Sequence, residues 1–565
     1  MNRKNRVGTV LPALLVGALA LTACDLDLTD PNNPTETEVV GSISGVLQIA
    51  VGLQAEYGNE IVDPIMVSAL VGDEVGAGAG TFQWIQQVDI GGTEFDNSTN
   101  NSEAPWAGMY DVVQIANVLL QSAPEVGMGA ATESGVVALA NTYKAIAFGS
   151  LLMIYERIPL DVDPTQPSPE FATREAGIER VFTLLDAARQ QLQSTPPSAA
   201  FNDEILAPGL DLEELVEAMT ARFALAFGRN DEAMTAAGRV NLSSMSHFRF
   251  TANDVNPLWN LWVNGGNSTE MRPEDSFRLD AEAGDQRVAY WATEADIQGA
   301  NVALDAHARY SASDVSIPAV FPDEMRLIMA EVQARNGNLD TAIGLINDVR
   351  EPCSSALDEP VACLPALDAG DLPDQAAVLD QILKERRYEL FALGVRWNDL
   401  KRFGEPVKYQ VMPVPQSECD RNVNTPGELC RAAGVCPHGL RSRESVGEWR
   451  RTFPPNLAPR PYFGAPARTL APPRTGIPPR EPHDKADPDP RPGGVVCPPP
   501  VRHGCSPGAC VRFWTPIRDS LRRPGRHPQA RVRSDLDLLG LVRRGVVFAG
   551  RGMDAVSREG SRDGG

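Results

Sequence analysis

Histidine is scarce in this chain: there are six in 565 residues, and only His247 and His307 precede residue 431. A histidine-based triad or metal site has too few members to be built from that stock. No Gly-x-Ser-x-Gly, His-Glu-x-x-His or Walker-type phosphate loop occurs, and the GAGAG run at 76–80 does not meet Gly-x-Gly-x-x-Gly. Nine cysteines include no matched Cys-x-x-Cys pairs, which leaves a zinc framework unsupported. Positive charge is also short. Residues 1–430 hold 27 Lys and Arg against 62 Asp and Glu, within a net charge of −23. Phosphate contacts need clustered cations, so a surface this acidic disfavours nucleic acid, and no nucleic-acid partner is expected. Adjacent carboxylates such as Asp73 with Glu74 and Glu274 with Asp275 are what chance gives among so many acids, and they read as a solvated face. Nothing here points to an enzyme, a resident metal or a cofactor.

Long apolar runs are lacking too. The one that stands out, Val7 to Ala20, follows MNRKNR and is too short for a permanent membrane helix, so it reads as a secretory h-region. It ends in Leu21-Thr22-Ala23-Cys24, the order of a bacterial lipobox, in which the cysteine is acylated; an ordinary signal peptide with a chance cysteine is the alternative. No other stretch reads as a membrane span. Residues 1–23 are therefore expected to be a lipoprotein signal peptide and residues 24–40 an acidic, Pro- and Asn-containing tether.

Between about Val40 and Phe403 the apolar residues fall at helical spacing. The pattern predicts helices at 43–57, 105–122, 134–155, 175–193, 211–227, 231–240, 322–336, 339–350 and 376–393. Two stretches repeat one another: ARFALAFGRNDEAMTAAGRV from Ala221 to Val240, and AEVQARNGNLDTAIGLINDV from Ala330 to Val349. Ala, Gly, Asp, Ala and Val recur at identical offsets. Small residues on both sides of a tight turn let two antiparallel helices approach closely, as in tetratricopeptide hairpins. Gly72–Gln87 and residues 241–320 interrupt this regime with Asn, Gly and aromatic residues. Cys353 with Cys363, and Cys419 with Cys430, stand close enough to bridge in an oxidising compartment. Residues 431–565 are of another kind, with 21 of the 46 prolines and 23 Arg against one Lys. They read as a disordered tail, either an extension translated out of frame or a basic interaction segment.

The remaining chemistry is aromatic. Trp84, Trp259, Trp262, Tyr290 and Trp291 fall in the irregular segments, with Asn253, Asn256, Asn260, Asn264 and Asn267 interleaved. A flat ring can cover the apolar face of a sugar while amides and carboxylates bond its hydroxyls. Trp84, Trp259 and Trp262 are the expected platforms, and Asn264, Asn267 and Asp73 the expected polar partners; the plain alternative is that each tryptophan plugs a loop onto the core. Trp106 and Tyr110, one helical turn apart, read as core.

FPDEMRLIMAEVQARNGNLDTAIGLINDVR at 321–350, followed by KERRYELFALGVRWNDLKRFG at 384–404, resembles the SusD/RagB family, as do ALANTYKAIAFGSLLMIYERIPL at 138–160, LEELVEAMTARFALAFGRNDEAM at 212–234 and VMPVPQSECDRNVN at 411–424. The resemblance covers roughly residues 24–420. It implies a mostly α fold of tetratricopeptide-like hairpins over 41–430, and a lipid-anchored protein of the outer-membrane surface. Its implied ligand is a nutrient oligomer, with oligosaccharide favoured and peptides open, and its implied partner a TonB-dependent, SusC-like transporter. In the family the 384–404 stretch is a packing element: Tyr388, Leu390, Phe391 and Trp397 are expected to lock the last helix, and Glu385 or Glu389 to pair with Arg386, Arg387 or Arg396. A scaffold that binds only proteins is the alternative from another class.

The lipobox generates the first test. Cys24→Ser should release the protein from membranes in a wash and sedimentation assay, and retention at the wild-type level would remove the lipid anchor.

Overall fold

The computed structural model describes residues 36–430, apart from residues 92–94, 99, 164, 166–167 and 267–269. The expected signal peptide, Cys24, the tail from residue 431 and Asn267 lie outside the described residues. Within the expected tether, Glu36–Val40 is a short helix whose Val39 is buried.

The longer helices are α1 (Ile43–Glu60), α2 (Val62–Val71), α3 (Gln83–Ile90), α4 (Asn100–Ser122), α5 (Ala130–Ile154) and α6 (Arg174–Ser194). They continue with α7 (Leu212–Ala226), α8 (Asn230–Ala237), α9 (Pro322–Arg335), α10 (Leu339–Arg350), α11 (Gln375–Glu389) and α12 (Arg396–Phe403). Side-chain caps fix several starts. Ser42 accepts from the Gly45 N–H, Thr173 from Ala176, Asp211 from Glu214 and Asp374 from Ala377. All nine expected helices are present, most within a few residues of their bounds. Three were not expected. In α2, eight of the ten residues are buried, so no polar face marks a helical period. The first turn of α3 falls in a stretch expected to be irregular. The third, α12, is short and highly charged.

The helix α5 also corrects a reading: it is long and apolar enough to cross a membrane by length and composition. Its apolar window is 89% buried inside the protein, packed against α4 and α6, so it is a core helix.

The repeat is structural. Gly228 and Gly337 both take left-handed backbone, with φ of 79° and 82°. Each glycine N–H bonds a carbonyl three residues back, at Leu225 and Ala334. The next N–H, of Arg229 or Asn338, reaches five residues back, to Ala224 or Gln333. Ala221 with Ala330 and Ala233 with Ala342 are buried at the facing positions, where only small side chains let α7 meet α8 and α9 meet α10. The helices thus form tetratricopeptide-like antiparallel hairpins.

Strands are few and short among the described residues. Three antiparallel ribbons form: β1 (Val75–Ala77) with β3 (Met271–Pro273), β2 (Ser246–Phe248) with β6 (Ile317–Val320), and β4 (Ala292–Gln298) with β5 (Ala303–His307). Both cysteine pairs are disulfides, Cys353–Cys363 and Cys419–Cys430.

The 384–404 stretch packs as expected but pairs differently. Tyr388, Leu390, Phe391 and Trp397 are fully buried, and Trp397 Nε1 donates to the Tyr409 carbonyl at 2.8 Å. Gly394, at φ 77°, lets the chain turn from α11 into α12 against Ile65. Glu385, however, lies between Arg350 and Arg287, at 2.5 and 2.7 Å, and Glu389 meets Arg287 at 3.2 Å. Arg386 instead pairs with Asp399 at 2.8 Å, and Arg387 with Asp280 at 3.1 Å. The local pairings expected within α11 give way to long-range ones because Glu385 and Glu389 face the core, where only remote arginines reach them.

Glycine substitutions test the hairpin reading. Gly337→Ala puts a Cβ on left-handed backbone and should lower stability by roughly 1–2 kcal/mol. Gly344→Ala, on an exposed turn of α10 with open space around its Cβ, should raise it by up to about 1 kcal/mol. Thermal unfolding of the two variants should therefore shift in opposite directions.

Candidate functional site

The two irregular segments, almost 200 residues apart, come together. Val75, Gly76 and Ala77 pair with Pro273, Arg272 and Met271. The Ala300 N–H then bonds the Ala77 carbonyl at 2.7 Å, and the Ala79 N–H bonds the Gln298 carbonyl at 3.0 Å, so the β4–β5 hairpin seats on the GAGAG loop. The glycines serve this approach. A Cβ on Gly76 would come within 2.8 Å of the Leu304 side chain, and one on Gly78 within 3.2 Å of Glu270. The run is a packing device, with β1 and not a phosphate behind its composition.

This junction delivers the chain to Thr81, whose hydroxyl bonds the Gly78 and Glu270 carbonyls at 2.5 and 3.0 Å. The next residues open α3 and carry two aromatic rings. Phe82 and Trp84 stack, with centroids 5.8 Å apart and planes 17° from parallel. Phe82 is 49% exposed, an unusual exposure for so large an apolar side chain, and Trp84 is half-buried. The Trp84 backbone is anchored from behind, its carbonyl accepting from the Asn101 side chain. A rigid, partly exposed pair of parallel rings is the feature of this face best suited to hold a flat apolar ligand surface. Sequence reasoning missed Phe82; its position two residues before Trp84 in TFQW was the available signal.

The other expected residues divide. Trp262 is fully buried and stacks on His307 with centroids 5.5 Å apart, so it is a core plug and offers no platform. The π-helical turn at Asn260–Asn264 carries it inward against β3. Trp291 is likewise buried, donating Nε1 to the Tyr388 carbonyl at 2.8 Å. Trp259 is half-buried, in a turn capped by Asn256, whose Oδ1 accepts from the Leu258 and Trp259 N–H groups. Asn264 is exposed and donates to Asn260 Oδ1 at 3.2 Å. Trp106, as expected, is core, with its ring 5.1 Å from Tyr110.

Asp73 sits beside β1 on left-handed backbone at φ 56°, its carboxylate 2.6 Å from Lys408 Nζ. Lys408 also meets the buried Asp89 at 3.2 Å, and Asp89 accepts from the Ala77 N–H and the Asn301 side chain. Burial pushes the Glu274 carboxyl up to about 7, with Asp73 and Asp89 adding and Lys408 opposing. Burial drives Glu74 further, to about 8, against the Arg396 charge and a 3.3 Å bond from the Ala392 N–H. His307, buried with Nε2 3.0 Å from the Met271 carbonyl, is held neutral by desolvation, its pKa pushed down to about 3. No set of three His, Cys, Asp or Glu side chains suited to a metal ion occurs among the described residues. A cleft in the helical core, lined by Tyr57, Ser68, Arg222, Phe223, Trp397 and Asn398, offers about 50 Å³ to water-sized occupants. That holds a few waters and no oligomer.

Residues 324–429 match the SusD family model. A curated relative, SusD-like protein P38 of Formosa agariphila, is 30% identical over 145 residues, which are 24% of this chain. The match spans about a quarter, 27%, of that protein's length. Among solved structures, a SusD superfamily protein from Bacteroides fragilis superposes with a TM-score of 0.54 at 17% identity, covering 68% of this chain and 98% of that one. A SusD homolog from Bacteroides thetaiotaomicron gives 0.54 at 14% identity, covering 70% and 99%. One from Parabacteroides distasonis gives 0.53 at 15%, covering 66% and 97%. At these identities the superpositions show a shared fold.

The raised carboxyl beneath β1 generates a test. Glu74 keeps its proton when folded until about pH 8 and loses it near 4.5 when unfolded, so its burial subtracts stability progressively between those values and fully above them. Glu74→Gln removes that penalty. It should leave melting unchanged near pH 4.5 and raise it at pH 9, by an amount on the order of a few kcal/mol. An equal effect at both pH values would show that the carboxyl is not held protonated.

Proposed function

By the sequence of residues 324–429 and the fold of residues 36–430 this chain is of the SusD/RagB family, and we propose that it is a surface lipoprotein binding nutrient oligomers, oligosaccharides first among them. It would be anchored through Cys24 at the outer membrane and pass its ligand to a TonB-dependent transporter. The domain boundaries that go with this reading are a signal peptide over 1–23, a tether from 24 and a binding domain over 41–430. The observation that carries it is the stacked Phe82–Trp84 pair, set on the face where both irregular segments meet.

The chemistry follows from that geometry. The C–H face of a pyranose covers an area like that of an aromatic ring, and two near-parallel rings extend the platform beyond a single sugar. Hydroxyls at the edge would find Gln83, Gln86 and Asn301 on α3 and the β4–β5 turn; Gln86 is aligned by its own bond to the Thr81 carbonyl at 2.9 Å. Trp259 and Asn264 remain candidates for a second contact. Trp262 supports the face from within. A scaffold that binds only proteins would use the hairpin surfaces and need no exposed ring pair.

Phe82→Ala and Trp84→Ala should each weaken binding in a glycan array and in calorimetry by about 5- to 150-fold, the equivalent of roughly 1–3 kcal/mol per ring. Phe82→Ala should leave melting unchanged, whereas Trp262→Ala should lower stability by about 3–5 kcal/mol. Folded Phe82→Ala and Trp84→Ala proteins that bind as wild type would move the site elsewhere.

A further inference from the structure

The same face carries a one-sided charge pattern. Residues 72–90 and 270–307, which build it, contain twelve acidic residues, three arginines and no lysine; buried Glu74 is held protonated, and Asp280 and Glu282 are met by Arg387, Arg350 and Lys384 from α10 and α11. Lys408 reaches in from outside and is held by Asp73 and Asp89 at 2.6 and 3.2 Å. Arg272 is held by Glu270 at 3.0 Å and Arg278 by Asp305 at 2.8 Å. Arg287 is buried among Asp285, Glu385 and Glu389. Arg396 lies behind Gly72 and is opposed by Asp399 and Asp73, since buried Glu74 is held protonated. Each described cation of the face is thus already opposite a carboxylate. On the β4–β5 hairpin that seats on the GAGAG loop, Glu294 is 79% exposed and lies 3.7 Å from Arg278, which it shares with Asp305, and Asp296 is exposed as well; residues 288–307 add no cation of their own.

Recognition of a carboxylated or sulfated glycan needs cations free to meet the anion, preferably arginines presenting a fork. Here an approaching polyanion would find the described cations of the face already engaged and the exposed carboxylates of Glu294 and Asp296 before it. An uncharged sugar meets no such penalty, and an amino sugar gains from the field. We propose that the Phe82–Trp84 face takes uncharged or amino-bearing oligosaccharides and refuses polyanionic ones. This rests on the binding reading above and adds the ligand's charge to it.

The test uses hexasaccharides of α-1,4-glucan, β-1,4-glucan, chitosan, polygalacturonate and sulfated galactan, measured by calorimetry on the full-length protein. The expected result is binding of at least one uncharged or amino-bearing hexamer, weakened by at least about fivefold in Trp84→Ala. The polygalacturonate and sulfated hexamers should bind at least about tenfold more weakly. Chitosan binding should fall as NaCl is raised, and glucan binding should not. Reversing the exposed hairpin charges, Glu294→Lys with Asp296→Lys, should narrow the gap against polygalacturonate while glucan binding holds. A preference for polygalacturonate or sulfated galactan that Trp84→Ala abolishes would overturn the charge inference and keep the platform. Binding indifferent to Trp84→Ala, or no binding of any hexamer, would overturn both.

Discussion

Two buried ion networks on α11 hold the molecule's parts in register. Arg350 from the α9–α10 hairpin and Arg287 from the irregular segment both reach Glu385, and Arg287 goes on to Glu389 and Asp285. At the next residue of the helix, Arg386 shares Asp399 with Arg402, and Arg402 continues to Glu331 on α9. Desolvating such charges costs several kcal/mol per ion, recovered only when every partner is in place. The geometry is therefore all-or-none. Arg287 opens the short helix that leads into β4, and Arg278, in the short helix before it, holds Asp305 on β5, so the contacts that close the helical scaffold continue into the hairpin seated on the GAGAG loop. The ring pair at Phe82 and Trp84 inherits its position from charges it never touches.

This arrangement explains which parts of the fold could be read from sequence. Helices with one wet face announced themselves by period and cap, and the Gly228 and Gly337 turns by composition. The helix α2 was hidden because its surroundings are apolar on all sides. The helix α12 was hidden because its charges, which look solvated, are paired inside. Local spacing suggested partners for Glu385 within its own helix. The real ones, Arg287 and Arg350, lie 98 and 35 residues back, and no local pattern encodes that distance.

The candidate site was legible as a region and illegible as a set of side chains. Tryptophan and asparagine in segments without helical period pointed at 72–87 and 241–320, and the β1–β3 pairing brings those segments together. Which ring faces water depends on the backbone turn that carries it. The π-helical turn rotates Trp262 onto His307, and the start of α3 leaves Phe82 outside. Those rotations are decided by partners far along the chain. An expectation that ranked tryptophan above phenylalanine therefore chose one plug and passed over one exposed ring.

The Cys353–Cys363 disulfide encloses an exposed loop whose Asp358 grips Arg309 at 2.8 Å and accepts from the Tyr290 hydroxyl. A ring of this kind changes what a single cut does. A protease nicking the backbone anywhere between residues 354 and 362 would leave two chains still joined through sulfur, with α9 and α10 on one and α11 and α12 on the other. The severed protein would migrate as one species until reduced and would keep its scaffold while doing so. The loop is thus a place where breakage is survivable.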